Sequence, residues 1–307
     1  MRFHVEPWAP EYGSPVDDAA LAPTTANVDA GIEVDPQAWA PIAPQAAPIA
    51  DVLFVDGVRR IDAHVWIDTD GTDTGRHGIC ASYAAGAVRC NGKAEVVAAE
   101  VRRRLFTTAS DADDVQTRWG AYAVHLAHDD TVESLSLAMQ TEMGALEGVV
   151  AADAGAADLV VLDGPLGQRG HVRGALGYVK THQTAYLPPQ CQAVLRDLRP
   201  GERTPLFLFD SWGRPMLSWY VRLPGEDGGS PLSGRIRCET IADRSTAEVA
   251  SLADAVAATV VRFASRNHRE PRAPQNLYPI AGLEAQLRRR LGDREILYRA
   301  LRRAAAA

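Results

Sequence analysis

The sequence predicts an α/β protein, with a mixed β-sheet that is flanked by helices and preceded by an extended N-terminal arm. Short apolar runs at residues 52–55 and 159–162 have the length and composition of buried strands. Residues 131–152 lie between these runs and show helical periodicity instead. Strands that alternate with helices along the chain are typical of α/β folds.

The composition is that of a globular protein in water. Of the 307 residues, 46% are hydrophobic and 23% are charged. No apolar run reaches the roughly 18 to 20 residues of a membrane span, and the N-terminus lacks the apolar core of a signal peptide. We therefore expect a cytoplasmic protein without a membrane partner. The four cysteines are far apart and lack zinc spacing, which predicts buried, reduced thiols.

The basic residues are almost all arginines. The net charge of −7 does not indicate a general binder of polyanions, but arginines that line one groove can still bind phosphate. Only Lys93 and Lys180 are lysines. A lysine retained in such a chain favours a specific role for Lys180, and an ordinary strand-end lysine is the alternative.

Residues 1–50 are rich in proline, alanine and aspartate and have little periodicity. We interpret them as an extended arm that packs on the domain or on another subunit, anchored by Trp8, Tyr12 and Trp39. A disordered tail is the alternative interpretation. Residues 51–307 then form the main domain.

The main domain is predicted to open with three strands in a meander. Residues 52–55 form the first strand, Gly57 and Val58 form a tight turn, and alternating residues 61–67 form the second strand. The third strand covers residues 78–89. Asp56 thus lies at a strand end, as does Asp163 after residues 159–162. An aspartate that caps its own turn before a glycine is the simpler interpretation of each.

The helix at residues 131–152 carries an acidic residue on its predicted buried face. At about 100° per residue, Glu142 lies within the apolar stripe, whereas Glu147 and Glu133 fall off it. A buried carboxylate is costly unless it is paired or bound to a cation, so Glu142 is a candidate metal ligand. An ion pair with an arginine such as Arg118 is the alternative, and Glu147 remains open as the helical ligand. The predicted stripe consists of Leu135, Met139, Leu146 and Val149.

The order of the three acids indicates a chemistry. Asp56 on a strand, Glu142 on a helix and Asp163 on a later strand follow the order in which ribonuclease H-like nucleases present their metal-binding carboxylates. Two Mn²⁺ or Mg²⁺ ions about 3.5–4 Å apart can activate water and stabilise the leaving oxygen of a phosphodiester. Lys180 and Tyr278 are candidates to orient the water or to neutralise the phosphate.

Four short segments resemble motifs of the NurA nucleases. They are Asp56-Gly57 and residues 162–166, 177–180 and 278–285, and the resemblance extends over about residues 50–290. It implies a ribonuclease H-like fold and manganese-dependent 5′–3′ exonuclease or single-strand endonuclease activity in DNA end resection and repair. It also implies a toroidal homodimer at the nucleoid, with a hexameric HerA-type translocase as partner.

Two other functions remain open. Val58 stands where the first motif commonly has serine, and Gln286 stands where the last often has histidine or an acid. These departures favour a catalytically weak DNA-binding adaptor of a translocase. A phosphatase with Asp56 as nucleophile is a further alternative, but Val58 occupies the position of the second acid that such enzymes need.

Five arginines near the motifs are predicted to contact DNA, although a solvated helix face is the ordinary role of the run at residues 288–290. The five are Arg59, Arg60, Arg169, Arg173 and Arg288.

Overall fold

A computed structural model describes residues 21–68, 75–211, 213–225 and 232–306, apart from the side chain of Gln168. As predicted, it is an α/β protein with a large mixed sheet that is flanked by helices. The strands are β1 Ala22–Pro23, β2 Val28–Asp29, β3 Val52–Ile67, β4 Arg76–Asn91, β5 Lys93–Thr107, β6 Val115–Thr117, β7 Gly120–Leu126, β8 Leu159–Asp163, β9 Ala175–Val179, β10 Thr184–Ala185, β11 Phe207–Ser211, β12 Arg214–Arg222 and β13 Arg235–Ile241. The helices are α1 Val132–Asp153, α2 Pro189–Asp197, α3 Thr246–Val260, α4 Tyr278–Arg290 and α5 Arg294–Ala304.

The chain folds into two compact units. The described residues of the first unit fall within 21–54, 89–95 and 157–281, and those of the second within 55–88, 96–156 and 282–306. Along the described ranges, none of the helices combines the length and apolar character that crossing a membrane requires. All four cysteines are free and buried, as predicted.

The first unit is built on strands in the order β2-β11-β12-β13-β9-β8. Neighbours in this order pair antiparallel except β8 and β9, which are parallel. Helix α3 begins with a capping box, in which Ser245 and Glu248 satisfy each other's backbone N–H groups. Its apolar face packs near β12, so the core of this unit lies between the helix and the sheet.

The second unit contains β3, β4, β5, β7 and β6 in that order across the sheet. The three long strands β3, β4 and β5 are neighbours in chain order. The predicted meander is correct in its third strand, residues 78–89, which lies within β4, but its first two strands are both part of β3, and β5 was not predicted. Part of its core is a cluster of Ala63, Cys80, Leu105, Tyr122 and Leu301, through which α5 packs on the strands. Tyr122 Oη, in this cluster, donates a hydrogen bond of 3.0 Å to the buried carboxylate of Asp62.

The predicted turn at Gly57 is wrong, because β3 continues through it without a break. The second predicted strand, residues 61–67, is the continuation of the first. Gly57 serves a different purpose: a Cβ atom there would lie 2.6 Å from Glu147 Oε1 and 2.8 Å from Met143 Cγ. The glycine therefore allows α1 to approach β3 closely. Asp56 consequently lies within a strand, not at its end.

Residues 21–50, the described part of the predicted arm, are joined to the first unit. β1 pairs with β10, β2 pairs with β11, and Ile42 forms a bridge with Arg203. Arg203 is buried and contacts Glu33 at 2.9 Å and Asp254 at 2.5 Å. Of the predicted anchors, Trp39 donates a hydrogen bond to the carbonyl of Ala30, while Trp8 and Tyr12 lie outside the described residues.

Candidate metal centre

Three carboxylates come together in the structure. Asp56 lies on β3, Asp163 is the last residue of β8, and Glu284 lies on α4. Each offers one carboxylate oxygen, and these three oxygens lie within 4.8 Å of one another. Asp56 is 5% exposed and Glu284 is 7% exposed. Asp163 is partly buried. Three carboxylates this close repel one another, two of them with little access to water, and a cation between them would remove that cost.

Asp163 is held by a turn that the sequence encodes. Gly164 has φ of +84°, a conformation that favours glycine, and its N–H donates a 2.7 Å hydrogen bond to the carbonyl of Tyr178. Arg169 Nη2 donates to the carbonyl of Asp163 at 2.9 Å and to that of Pro165 at 2.5 Å. These bonds fix the backbone, so the Asp163 carboxylate has a defined position.

Lys180 places a positive charge beside Asp163. Its Nζ lies 2.7 Å from Asp163 Oδ2 and donates a 2.9 Å hydrogen bond to Asn276 Oδ1. The other carboxylate oxygen, Asp163 Oδ1, is buried and accepts no hydrogen bond from the residues that the structure describes. An oxygen in this state fits a hard cation, because Mn²⁺ and Mg²⁺ prefer carboxylate oxygens.

A second set of buried groups supports the turn after Asp163. Glu239 Oε1 accepts a 2.7 Å hydrogen bond from Leu166 N, and its Oε2 lies 2.5 Å from Arg237 Nη1. A Cβ atom at Gly177 would lie 2.7 Å from Glu239 Cγ, so only glycine leaves room for this carboxylate. Gly177 therefore stabilises the turn after Asp163 indirectly, because it leaves room for Glu239, which binds Leu166 N.

The predicted apolar stripe of α1 is confirmed at Leu135, Met139 and Leu146, which are buried, and is wrong at Val149. The buried positions of α1 include Met143, Leu146, Glu147 and Val150, whereas Val149 is 42% exposed. Glu147, one turn beyond Met143, is 3% exposed and lies against Gly57. A stripe that includes the exposed Val149 is centred away from Glu147, which lies on the other side of the buried face.

Glu142 lies outside the group formed by Asp56, Asp163 and Glu284. Its Oε2 accepts a 3.3 Å hydrogen bond from Tyr83 Oη and lies 3.7 Å from Arg104 Nη2 and 3.9 Å from His125 Nδ1. The ion pair that was the alternative for Glu142 therefore exists, but its arginine is Arg104. Arg118 lies over the ring of Trp119 instead.

Glu284 was missed, although the sequence carries a signal for it. Ile280, Leu283 and Leu287 are buried and follow helical spacing along α4. Glu284 stands four residues after Ile280 and so shares their face. A carboxylate on the apolar face of a helix is the same signal that made Glu142 a candidate ligand. In α4 the carboxylate with this signal, Glu284, is buried.

Two predicted site residues lie on or near α4. Tyr278 is its first residue and is 36% exposed. Arg288 Nη2 lies 3.8 Å from Glu284 Oε2, and the Arg288 side chain is 56% exposed. Arg288 thus borders the carboxylate group and is also accessible to a ligand.

The other predicted DNA contacts divide into two groups. Arg59 and Arg173 are exposed. Arg60 instead pairs with buried Asp62 at 2.8 Å and donates to the carbonyl of Gly292, while Arg169 holds the turn after Asp163. Arg60 and Arg169 therefore have structural contacts that account for their positions.

His182 is neutral at pH 7 despite lying close to Lys180 in sequence. Burial lowers the pKa of its imidazole to about 4, and its Nε2 lies 2.9 Å from the carbonyl oxygen of Arg235. Burial also raises the pKa of the Tyr178 hydroxyl, which donates to the carbonyl of Gln275. Neither group supplies a charge to the carboxylates.

A scan against protein-family models gives no match to this chain, and neither does a search among curated proteins. The function is therefore inferred from the geometry of the site residues. Asp56, Asp163 and Glu284 can hold a metal ion, with Lys180 beside them.

Proposed function

We propose that the protein is a metal-dependent DNA nuclease, in which Asp56, Asp163 and Glu284 hold Mn²⁺ or Mg²⁺. The observation that carries the proposal is the convergence of these three carboxylates, two buried and one partly buried, within 4.8 Å and beside a lysine. Carboxylate sets of this kind are typical of metal-assisted phosphodiester hydrolysis. The resemblance of the surrounding segments to NurA motifs adds DNA as the substrate.

The chemistry follows from the residues at the site. A bound divalent ion, or a pair of ions, would lower the pKa of water and stabilise charge on the phosphate. The three carboxylates would hold the metal and compensate its charge. Lys180 keeps Asp163 oriented and adds a positive charge where a phosphate would approach. Arg288, which is largely exposed, can contact a neighbouring phosphate.

The finer features of the proposal rest on the resemblance. They are 5′–3′ exonuclease action with single-strand endonuclease activity, a role in DNA end resection and repair, a homodimer, and a HerA-type translocase as partner. Glu147 is a candidate for a further ligand on α1, because it is buried beside Gly57, the residue after Asp56.

The proposal is tested with purified protein and end-labelled single- and double-stranded DNA. We expect cleavage with Mn²⁺ or Mg²⁺ and none with EDTA, because the carboxylates alone cannot activate water. DNA binding without metal-stimulated cleavage across the substrate panel would contradict the proposal and favour the adaptor function. The two departures from the NurA motifs, the exposed Gln286 and the buried Val58, would then be taken as marks of that adaptor function.

A further inference from the structure

A cavity of about 520 Å³ lies in the second unit, apart from the three carboxylates. Its walls come from the turn between β6 and β7 and from one face of α5. The volume is within the range of about 300–1,000 Å³ that is usual for small-ligand sites. The side chains that determine its chemistry are Gln116, Arg118, Trp119, Ile296, Arg299 and Arg303.

The cavity is positively charged within an acidic protein. Arg118, Arg299 and Arg303 line it, and no lining residue is acidic, whereas the whole chain has a net charge of −7. Arg299 and Arg303 are four residues apart on α5, so their like charges oppose helix stability. In the described part of the chain, neither arginine has a carboxylate within 4.0 Å. Arg288, by contrast, lies 3.8 Å from Glu284. This cost is removed when an anion binds.

Trp119 gives the cavity an aromatic surface. The residue is 47% exposed, and the guanidinium carbon of Arg118 lies 4.7 Å from the centre of its ring. The turn that presents it is fixed, because Thr117 Oγ1 accepts a hydrogen bond from Trp119 N and donates one to the carbonyl of Gly120. Arg118 covers one face of this half-exposed indole, and a base would stack on the remaining exposed surface of the ring.

We propose that this cavity binds a nucleotide unit. A base would stack on Trp119, and the phosphate would bind Arg299 and Arg303, which suit phosphate because their forked N–H groups can donate two hydrogen bonds at once. Gln116 has both a donor and an acceptor for the edge of a base. The unit can belong to a single strand or to a free nucleotide, since both present the same two groups. The inference does not require the proposed nuclease activity.

The test measures binding in EDTA, so that cleavage plays no part. Fluorescence anisotropy follows a labelled oligo-dT strand, and unlabelled dTMP, dAMP and polyphosphate serve as competitors. We expect Trp119→Ala to weaken strand binding about tenfold, within the usual effect of losing one stacked base. Arg299→Ala with Arg303→Ala should weaken it and reduce the salt slope of log K by about 0.7, for the one phosphate that the two arginines neutralise.

The matched control is Arg294→Ala with Arg302→Ala, which removes the same charge from α5 at positions that do not line the cavity. Competition by dTMP or dAMP at low concentration would identify a free-nucleotide site, and competition by strands alone would identify a strand site. Either result supports the inference if the cavity variants lose it and the control keeps it. Equal loss in both double variants, unchanged binding by Trp119→Ala, or polyphosphate competing as well as the strand would overturn it.

Discussion

Replacing Asp163 by asparagine is expected to lower metal-dependent DNA cleavage by about 10³-fold. The substitution removes one of three converging carboxylates and the charge that pairs with Lys180 at 2.7 Å. Metal-assisted catalysis supplies several kcal/mol to such reactions, and about 4 kcal/mol corresponds to three orders of magnitude in rate. The measurement is the initial rate of cleavage at saturating Mn²⁺, with thermal unfolding to show that the variant is folded.

Glu284→Gln and Glu142→Gln provide the matched comparison. Both replace a helical glutamate by its neutral isostere, but only Glu284 belongs to the carboxylate group. We expect a loss for Glu284→Gln like that for Asp163→Asn, and cleavage close to wild type for Glu142→Gln, whose partners are Tyr83, Arg104 and His125. The opposite ranking would return the metal site to the predicted helix.

Replacing Glu239 by alanine is expected to lower the free energy of unfolding by about 3–5 kcal/mol. Glu239 is 1% exposed and pairs with Arg237, which is 4% exposed. Without Glu239, the guanidinium stays buried without its counter-charge, and breaking a buried pair in this way costs that amount. Leu166 N also loses its 2.7 Å acceptor, so the turn after Asp163 loosens. Urea unfolding of both proteins measures the difference.

The double substitution Glu239→Ala with Arg237→Met separates these contributions. It removes the stranded charge, so we expect it to recover much of the stability lost in Glu239→Ala. It does not restore the hydrogen bond to Leu166, so cleavage should stay below wild type. A double variant as unstable as the single one would show that the buried charge is not the cause.

The sequence predicted the elements whose periodicity is strong. The helix at residues 131–152 corresponds to α1, and the strands around residues 159–162 and 78–89 correspond to β8 and β4. These segments either bury continuous apolar runs or follow one regular period. The class of an element follows from such local patterns.

The site was harder to predict, because it depends on which face of each element is buried. Gly57 has the sequence of a turn but is a close-approach glycine inside β3, which only the packing of α1 reveals. On α1, one apolar residue, Val149, is exposed, and including it moved the predicted stripe away from Glu147. Glu284 belongs to residues 278–285, which resemble a NurA motif. Its proximity to Asp56 and Asp163, however, depends on tertiary structure and not on any local pattern.

The most direct test of the central claim is to locate Mn²⁺ in crystals of the protein by its anomalous scattering. We expect a Mn²⁺ peak among Asp56, Asp163 and Glu284, at divalent-metal ligand distances from their carboxylate oxygens. Asp163→Asn crystals soaked in the same way should show a weaker peak or none. Mn²⁺ bound elsewhere, with no peak among these three carboxylates at saturating concentration, would contradict the account.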